Sequence, residues 1–308
     1  MTVTLNPAVD KTYTTQGLIV GNVNRMRTTM NIAGGKGVNV TKILRQYDYE
    51  VTAVGFLGGY SGRFIEEELE KRGVGCRFVH VEGETRSNIN VLADDGYVTE
   101  ILEPGPTVSD GKLEAFLKQY DELLGECRLV ILSGSVTQGL DNDIYEKLTV
   151  HAARESVPVY LDSSGEGLRL GLRAKPQLIK PNWRELEYIM GHRIKNREEI
   201  IESAQFLRSM GIDRVIVSMG KKGLISITEQ GVLHARPPKI DAVNTVGCGD
   251  SVVASYAMSY VEGETEERAI VRACAVSAAN ATTMESATIP LETAEDLMNK
   301  IIVEKVGV

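Results

Sequence analysis

Four short apolar runs constrain the fold of this chain more than any other feature: residues 51–56 (VTAVGF), 129–132 (LVIL), 157–161 (VPVYL) and 215–219 (VIVSM). Each is too short for a core helix and lacks polar alternation, so each reads as a strand buried on both faces. Stripes with helical spacing separate the runs. Val40, Ile43, Leu44 and Tyr47 form one, Ile200, Ala204 and Leu207 a second, and Val252, Val253, Tyr256, Ala257 and Tyr260 a third. Strands alternating with amphipathic helices predict an α/β fold with a mainly parallel sheet.

Two stretches break this rhythm. Residues 11–33 are polar and β-prone, with Tyr13, Val20, Val23 and Met26 but no sustained helical period. Residues 86–103 read as strand, turn, strand about Asp94-Asp95-Gly96, because Asp-Gly between alternating runs favours a tight hairpin. The two pieces are expected to pair as a small β-sheet placed like a lid. No linker, low-complexity segment or internal repeat divides the chain, so residues 1–308 are expected to form one domain. At 308 residues and 43% hydrophobic content, such a domain can bury a full core.

Charge and composition exclude several function classes. Lys+Arg is 34 against 42 Asp+Glu, a net charge of −8 without long basic runs, which argues against nucleic-acid binding. A small anionic ligand stays compatible, because a few cations dominate a small cleft. Cys76, Cys127, Cys248 and Cys274 are scattered, and so are His80, His151, His192 and His234. Neither a disulfide framework, a zinc site nor a histidine-based triad is expected. Residues 1–7 have no charged leader, and no window approaches the roughly 20 apolar residues that span a bilayer. A soluble, cytoplasmic protein without membrane partners is expected.

Two glycine loops carry the strongest chemical signal, and each opens a predicted helix. In Asn244-Thr245-Val246-Gly247-Cys248-Gly249-Asp250, glycines let consecutive N–H groups converge where the helix N-terminus adds positive partial charge. That makes an anion site. Asp250 either caps the helix or faces the anion as a base that takes a proton from an attacking hydroxyl. Ala33-Gly34-Gly35-Lys36-Gly37-Val38-Asn39 is a close-approach loop carrying one cation, suited to hydroxyls or a phosphate, or else a tight turn. It is not a Walker A loop.

Weaker candidates follow strand-like runs. Ser133-Gly134-Ser135 lies where an α/β sheet places its ligand. Asn182 and Glu185, after Lys180-Pro181, suit either a magnesium ion held through water or a helix capping box. Ser218, Gly220 and Gly223 suit a ligand loop or a turn into residues 224–228. Arg25, Arg86 and Asn88 lie in the lid-like pieces, and arginine's planar fork matches phosphate. Trp183 reads as packing.

Together these motifs resemble the ribokinase-like carbohydrate kinases of the phosphofructokinase B group, over essentially the whole chain. The glycine stretch around 34–39, the run GFLGGYSG at 55–62, Lys180-Pro181-Asn182…Glu185 and the 244–250 motif occur in the family's order. Leu5-Asn6-Pro7-Ala8-Val9-Asp10, the lysine in Gly-Gly-Lys-Gly, Thr85-Arg86-Ser87-Asn88 and Glu103-Pro104-Gly105-Pro106 look like the branch of 1-phosphofructokinases and tagatose-6-phosphate kinases. The resemblance implies a three-layer α/β/α fold with a β-lid used for homodimerisation, and transfer of phosphate from ATP with Mg2+ to a sugar phosphate. Asp10, Gly35 and Asn39 would contact the sugar. Arg25, Lys36, Arg86, Asn88 and Ser135 would surround its phosphate. Gly247, Cys248 and Gly249 would form the anion hole beside the base Asp250. Asn182 and Glu185 would organise magnesium, and Lys180, Ser218, Gly220, Gly223 and Asn280 would lie along the nucleotide. A non-catalytic sugar-phosphate sensor on the same fold is the alternative from another class. Cys248 stands where the family commonly has Ala or Ser, which places an oxidisable thiol in the anion loop.

Overall fold

The computed structural model describes residues 1–307. Its strands, in chain order, are β1 (Thr2–Thr4), β2 (Ala8–Thr15), β3 (Thr28–Gly34), β4 (Thr52–Gly58), β5 (Gly75–Val81), β6 (Arg86–Ala93), β7 (Val98–Leu102), β8 (Val130–Ser133), β9 (Val159–Asp162), β10 (Leu178–Ile179), β11 (Arg214–Ser218), β12 (Leu224–Thr228), β13 (Gly231–Arg236) and β14 (Ile302–Val306). Ten of them form one sheet in the order β14-β13-β12-β11-β10-β9-β8-β1-β4-β5. The seven strands from β11 to β5 run parallel, and β12, β13 and β14 extend the sheet antiparallel.

The strand side chains divide between two cores, which is why the apolar runs show no polar alternation. Val130, Leu132, Val159 and Leu161 face one core, formed with Phe116, Tyr120, Leu148, Leu186, Ile200 and Leu207. Leu129, Ile131 and Tyr160 face the other, formed with Val40, Ile43, Val253, Tyr256, Ile270 and Ala273. The sheet is therefore the middle layer between two layers of helices, as the resemblance implies. The run at 157–161 becomes a strand only from Val159, because Pro158 has no N–H to give the ladder.

The lid is a second sheet in the order β3-β2-β6-β7. β2 pairs antiparallel with β3 and parallel with β6, and β6 forms the expected hairpin with β7. Register fixes which end faces the main sheet. Ala8 pairs with Gly34 and Arg86, so Asp10, Gly34, Arg86 and Asn88 lie at the base, next to the β1 exit. Thr14 pairs with Thr28 at the distal end.

The close spacing of β1 and β4 depends on Gly55. Its φ is +148°, and a Cβ there would collide with the Thr4 carbonyl oxygen. Gly96, in the lid hairpin, also has positive φ, at +85°, but nothing lies within 4 Å of its Cβ position. Alanine at both sites incurs the left-handed penalty of about 1–2 kcal/mol. Overpacking adds about 1–3 kcal/mol at Gly55 alone. Chemical denaturation should therefore show Gly55→Ala losing clearly more stability than Gly96→Ala; equal losses would mean that β1 and β4 can part without cost.

Candidate active site

The parallel strands deliver their following residues to one edge of the sheet. β1 exits into Leu5-Asn6, β8 into Gly134-Ser135, β9 ends at Asp162, β10 leads into Lys180, and β11 ends at Ser218. These strands are neighbours, so the residues line one crevice at the carboxyl ends. Asn6 ties its near wall together: its Nδ2 donates to the Pro104 carbonyl at 3.0 Å and to Ser135 Oγ at 3.3 Å.

The two glycine loops meet above this edge. Gly35, with φ +93°, is the N-cap of helix Lys36–Gln46, and a Cβ on Gly34 would strike the Asp10 carboxylate. Gly247 is left-handed, with φ +85°, at the N-cap of helix Cys248–Glu262. A Cβ there would come 3.0 Å from the Ala287 nitrogen. The Cys248 N–H donates to Thr245 at 3.3 Å. The N–H groups of Gly249 and Asp250, in the first helical turn, have no intrahelical acceptor. The helices pack together, and Asn39 Nδ2 donates to Asp250 Oδ2 at 2.8 Å.

Charge is concentrated here under deep burial. Asp162 is 1% exposed, Lys180 4% and Asp250 5%. Asp162 Oδ1 lies 3.3 Å from both Lys36 Nζ and Lys180 Nζ, and Glu185 Oε1 is 3.7 Å from Lys36. Burial, reinforced by the like charge of Asp162, pushes the Asp250 carboxyl up to about 6, against the pull of Lys36, Asn39 and Lys180. For Lys36, burial alone would lower the ammonium pKa, but Asp162, Glu185 and Asp250 outweigh it and raise it. Asp162 Oδ2 is buried with no hydrogen-bond partner among the described residues.

The base of the lid supplies a second polar cluster. Asp10 Oδ1 accepts from Asn88 Nδ2 at 2.9 Å, and burial raises the Asp10 carboxyl, opposed by Asn88, Lys42 and Arg86. Arg86 donates from Nε to the Asn6 carbonyl at 3.2 Å and from Nη1 to the Glu103 carbonyl at 3.1 Å. Arg25 is not part of this cluster. It sits exposed in the connection between β2 and β3 at the distal end of the lid, because the strand register carries residues 16–27 away from the base.

Behind the 247–250 loop lies a cavity of about 680 Å³ whose lining includes Ser218, Gly220, Gly223, Pro237, Ile240 and Ala278. Gly223 has φ +91°, and a Cβ there would strike the Ala235 carbonyl oxygen. Asn182 and Glu185 form a full capping box for helix Trp183–Met190: Glu185 N donates to Asn182 Oδ1 at 2.9 Å, and Asn182 N donates to Glu185 Oε2 at 2.8 Å. That leaves Glu185 Oε1 for the crevice. Asn280 does not face the cavity with a free amide. It is 1% exposed, its Nδ2 donates to the Val246 carbonyl at 2.8 Å, and its Oδ1 accepts from Ala287 N at 2.8 Å. It braces the 244–250 loop from behind.

Three residues to which the sequence assigned no role belong to this site. Asp162 ends a recognised strand on the same edge as Ser133-Gly134-Ser135, and that edge was its available signal. Asn6 was noticed only within a motif. Lys42 is 1% exposed and donates to the carbonyls of Ala33 at 3.2 Å and Ser286 at 3.0 Å. It ties the end of β3 to the segment behind Asn280, and burial lowers its ammonium pKa to about 8.

A profile of the family described as pfkB family carbohydrate kinase matches residues 3–294. The 1-phosphofructokinase of Bacillus subtilis (strain 168) is 40% identical over 255 residues, 83% of each chain. Among solved structures, a Thermotoga maritima protein named as a possible 1-phosphofructokinase superposes with a TM-score of 0.91 at 30% identity, covering 99% of both chains. Escherichia coli phosphofructokinase-2, in a potassium complex, shares the fold at 23% identity and a TM-score of 0.89, covering 97% of both chains. With its glycine loops meeting over the carboxyl edge of a parallel sheet, the chain belongs to the pfkB family of carbohydrate kinases.

Proposed function

We propose that this kinase transfers the terminal phosphoryl group of ATP to the free primary hydroxyl of fructose 1-phosphate, giving fructose 1,6-bisphosphate and ADP. The observation that carries the reading is Asp250: a buried carboxylate at the first turn of a helix, beside unbonded N–H groups, with Asn39 on one oxygen. The other oxygen is available to a substrate hydroxyl. A base poised near pH 6 removes the proton as the oxygen attacks. The relative named 1-phosphofructokinase supports the choice of sugar.

The remaining roles follow from position. Asp10, Gly35 and Asn39 orient the sugar hydroxyls, and Lys36, Arg86, Asn88 and Ser135 hold its phosphate. The loop Gly247-Cys248-Gly249 receives the transferring group, with Gly249 and Asp250 N–H as donors and Cys248 N–H released from its long bond to Thr245. Lys180 reaches the same group: a Cβ on Gly249 would sit 3.2 Å from its Nζ. Ser218, Gly220 and Gly223 line the nucleotide cavity, and Asn280 shapes it indirectly.

The donor set fits a magnesium ion held largely through water and nucleotide phosphates. Among the described residues no three His, Cys, Asp or Glu side chains converge as a direct metal cage. Asp162 Oδ2 and Glu185 Oε1 are the protein oxygens that would hold the ion's water shell, with Asn182 fixing Glu185 through the capping box. Magnesium would supply charge neutralisation on the phosphates.

A homodimer through the lid is part of the proposal. Edge strand β7 exposes Ile101 and Leu102 (51% and 61%), and the β2–β3 connection exposes Val20 and Val23 (95% and 75%). From the distal end of the lid, Arg25 joins a sugar phosphate only across such an interface. The proposed compartment is the cytoplasm; among the described residues no helix is long and apolar enough to cross a membrane.

A coupled ADP-release assay across fructose 1-phosphate, fructose 6-phosphate and tagatose 6-phosphate should give the highest kcat/KM with fructose 1-phosphate; preference for tagatose 6-phosphate would reassign the sugar. On that substrate, Asp250→Asn should keep its far-UV CD spectrum and lose about 10²–10⁴-fold in kcat. Retention of kcat within tenfold would remove Asp250 as the base.

The pH profile tests the same residue independently. Because Asp250 acts only when deprotonated and its folded pKa is raised to about 6, kcat/KM should fall as pH drops through about 6. An acid limb near 4, the range of an unperturbed carboxylate, would contradict the buried-base assignment.

A further inference from the structure

On the far side of the turn Gly220–Lys222 from the nucleotide cavity lies a second groove, of about 450 Å³. Its lining carries Lys195, Arg197, Lys222 and Arg236, together with Trp183 and His234. One carboxylate, Glu304, serves both arginines: Arg197 Nη1 and Arg236 Nη2 each donate to it at 3.0 Å. Arg197 has one further carboxylate near it, Glu198 at 3.8 Å. Neither Lys195 nor Lys222 has a side-chain ion pair among the described residues, although the Lys195 backbone N–H donates to Glu199 Oε2 at 2.8 Å. Lys222 instead places its ammonium 5.5 Å from the centre of the Trp183 ring. Four cations thus line the groove against Glu304, with Glu198 and Glu199 at its margin, which leaves the two lysine ammonium groups as its positive charge without a side-chain ion pair.

The groove is wired to the nucleotide site through shared backbone. His234 is 5% exposed, and its Nε2–H donates to the Lys222 carbonyl at 2.9 Å, while Nδ1 faces Arg197 and Glu304. Lys222 closes the turn whose Gly220 and Lys221 line the nucleotide cavity. Trp183 follows Asn182, which bridges to Ser218, and Arg236 precedes Pro237 in the nucleotide wall. Two segments thus line both cavities: 218–222, with Ser218, Gly220 and Lys221 on the nucleotide side and Met219 and Lys222 on the groove side, and 236–237, with Pro237 on one side and Arg236 on the other.

We propose that this groove is an effector site for a small metabolite carrying two or more phosphate groups, and that its occupancy changes the affinity of the nucleotide site. The volume excludes a folded partner and suits a small molecule. Two lysines without a side-chain ion pair, beside two arginine forks that share the single carboxylate Glu304, match adjacent phosphates better than a single anion. An anion drawing Arg197 and Lys222 toward itself acts on both ends of the His234 link, which moves the turn.

Trp183 is the single tryptophan of the chain, so intrinsic fluorescence reports on the groove directly. Inorganic pyrophosphate, titrated into the full chain without divalent metal, should give a saturable change, and sulfate a much weaker one. Lys195→Gln and Arg236→Gln, each at an exposed position, should keep the parental melting temperature and weaken pyrophosphate by about tenfold. With magnesium in excess, pyrophosphate should shift the KM for ATP in the parent and not in the variants, which experience the same chelation. Three results would overturn the proposal: no saturable signal, equal affinity in parent and variants, which places the ion in the 247–250 loop instead, or binding in the groove without a KM shift.

Discussion

The site depends on holding the Asp250 carboxylate ionisable under burial. Burial pushes its pKa up, and the like charge of Asp162 acts in the same direction. Lys36 and Lys180 change the balance. Their ammonium groups converge on one oxygen of Asp162 and leave the other unbonded. The residual field holds Asp250 near the point where it can both keep and release a proton. A buried charge network of this type adds little net stability. Its value lies in a defined charge state at a defined place.

The scaffold explains why four charges from distant parts of the sequence can meet. Lys36 comes from the glycine loop after β3, Asp162 from the end of β9, Lys180 from the exit of β10 and Asp250 from the last glycine loop. Only adjacency in the parallel sheet, with two helices starting over its edge, brings them together. The loops are short of side-chain bulk where this approach occurs, at Gly34, Gly247 and Gly249. They are fixed from behind by buried polar side chains: Asn280 binds Val246 and Ala287, and Lys42 binds Ala33 and Ser286. Hydrogen bonds of buried side chains are costly to leave unmade, so they position backbone sharply.

What was legible in the sequence had a local cause. Glycine before a helical stripe, continuous apolar runs and Asp-Gly between alternating runs each state a backbone requirement within a few residues, and the structure has these elements where they were read. What was missed depended on long-range neighbours. Asp162 looks like any strand-ending polar residue until β8 and β10 flank it. Asn280 was read along the nucleotide, yet its partners, Val246 and Ala287, turn it inward. Arg25 was grouped with Arg86 by residue type, whereas strand register separates them by the length of the lid. β5 and β14 form the two edges of the large sheet, where half-exposed, charge-bearing segments such as Ile302–Val306 carry a weaker apolar signal than the centre.

Cys248 shows how the same geometry settles the state of a thiol in the anion loop. In the sequence it places a thiol in the middle of an anion loop, where a helix N-terminus would favour thiolate and hence oxidation. In the structure its Sγ is turned toward the neighbouring helix, donating to the Ser277 carbonyl at 3.3 Å and accepting from Asn280 Nδ2 at 3.5 Å. Burial raises the thiol pKa, and the nearby Asp250 charge acts in the same direction, while Asn280 and Ser277 oppose them. The outcome is a protonated, weakly reactive sulfur that packs as a small apolar group. The anion loop needs only backbone N–H from this residue, so any side chain small enough to fit against Ser277 and Asn280 serves. The thiol satisfies that limit and adds two weak hydrogen bonds that help hold the loop against the helix Glu266–Asn280.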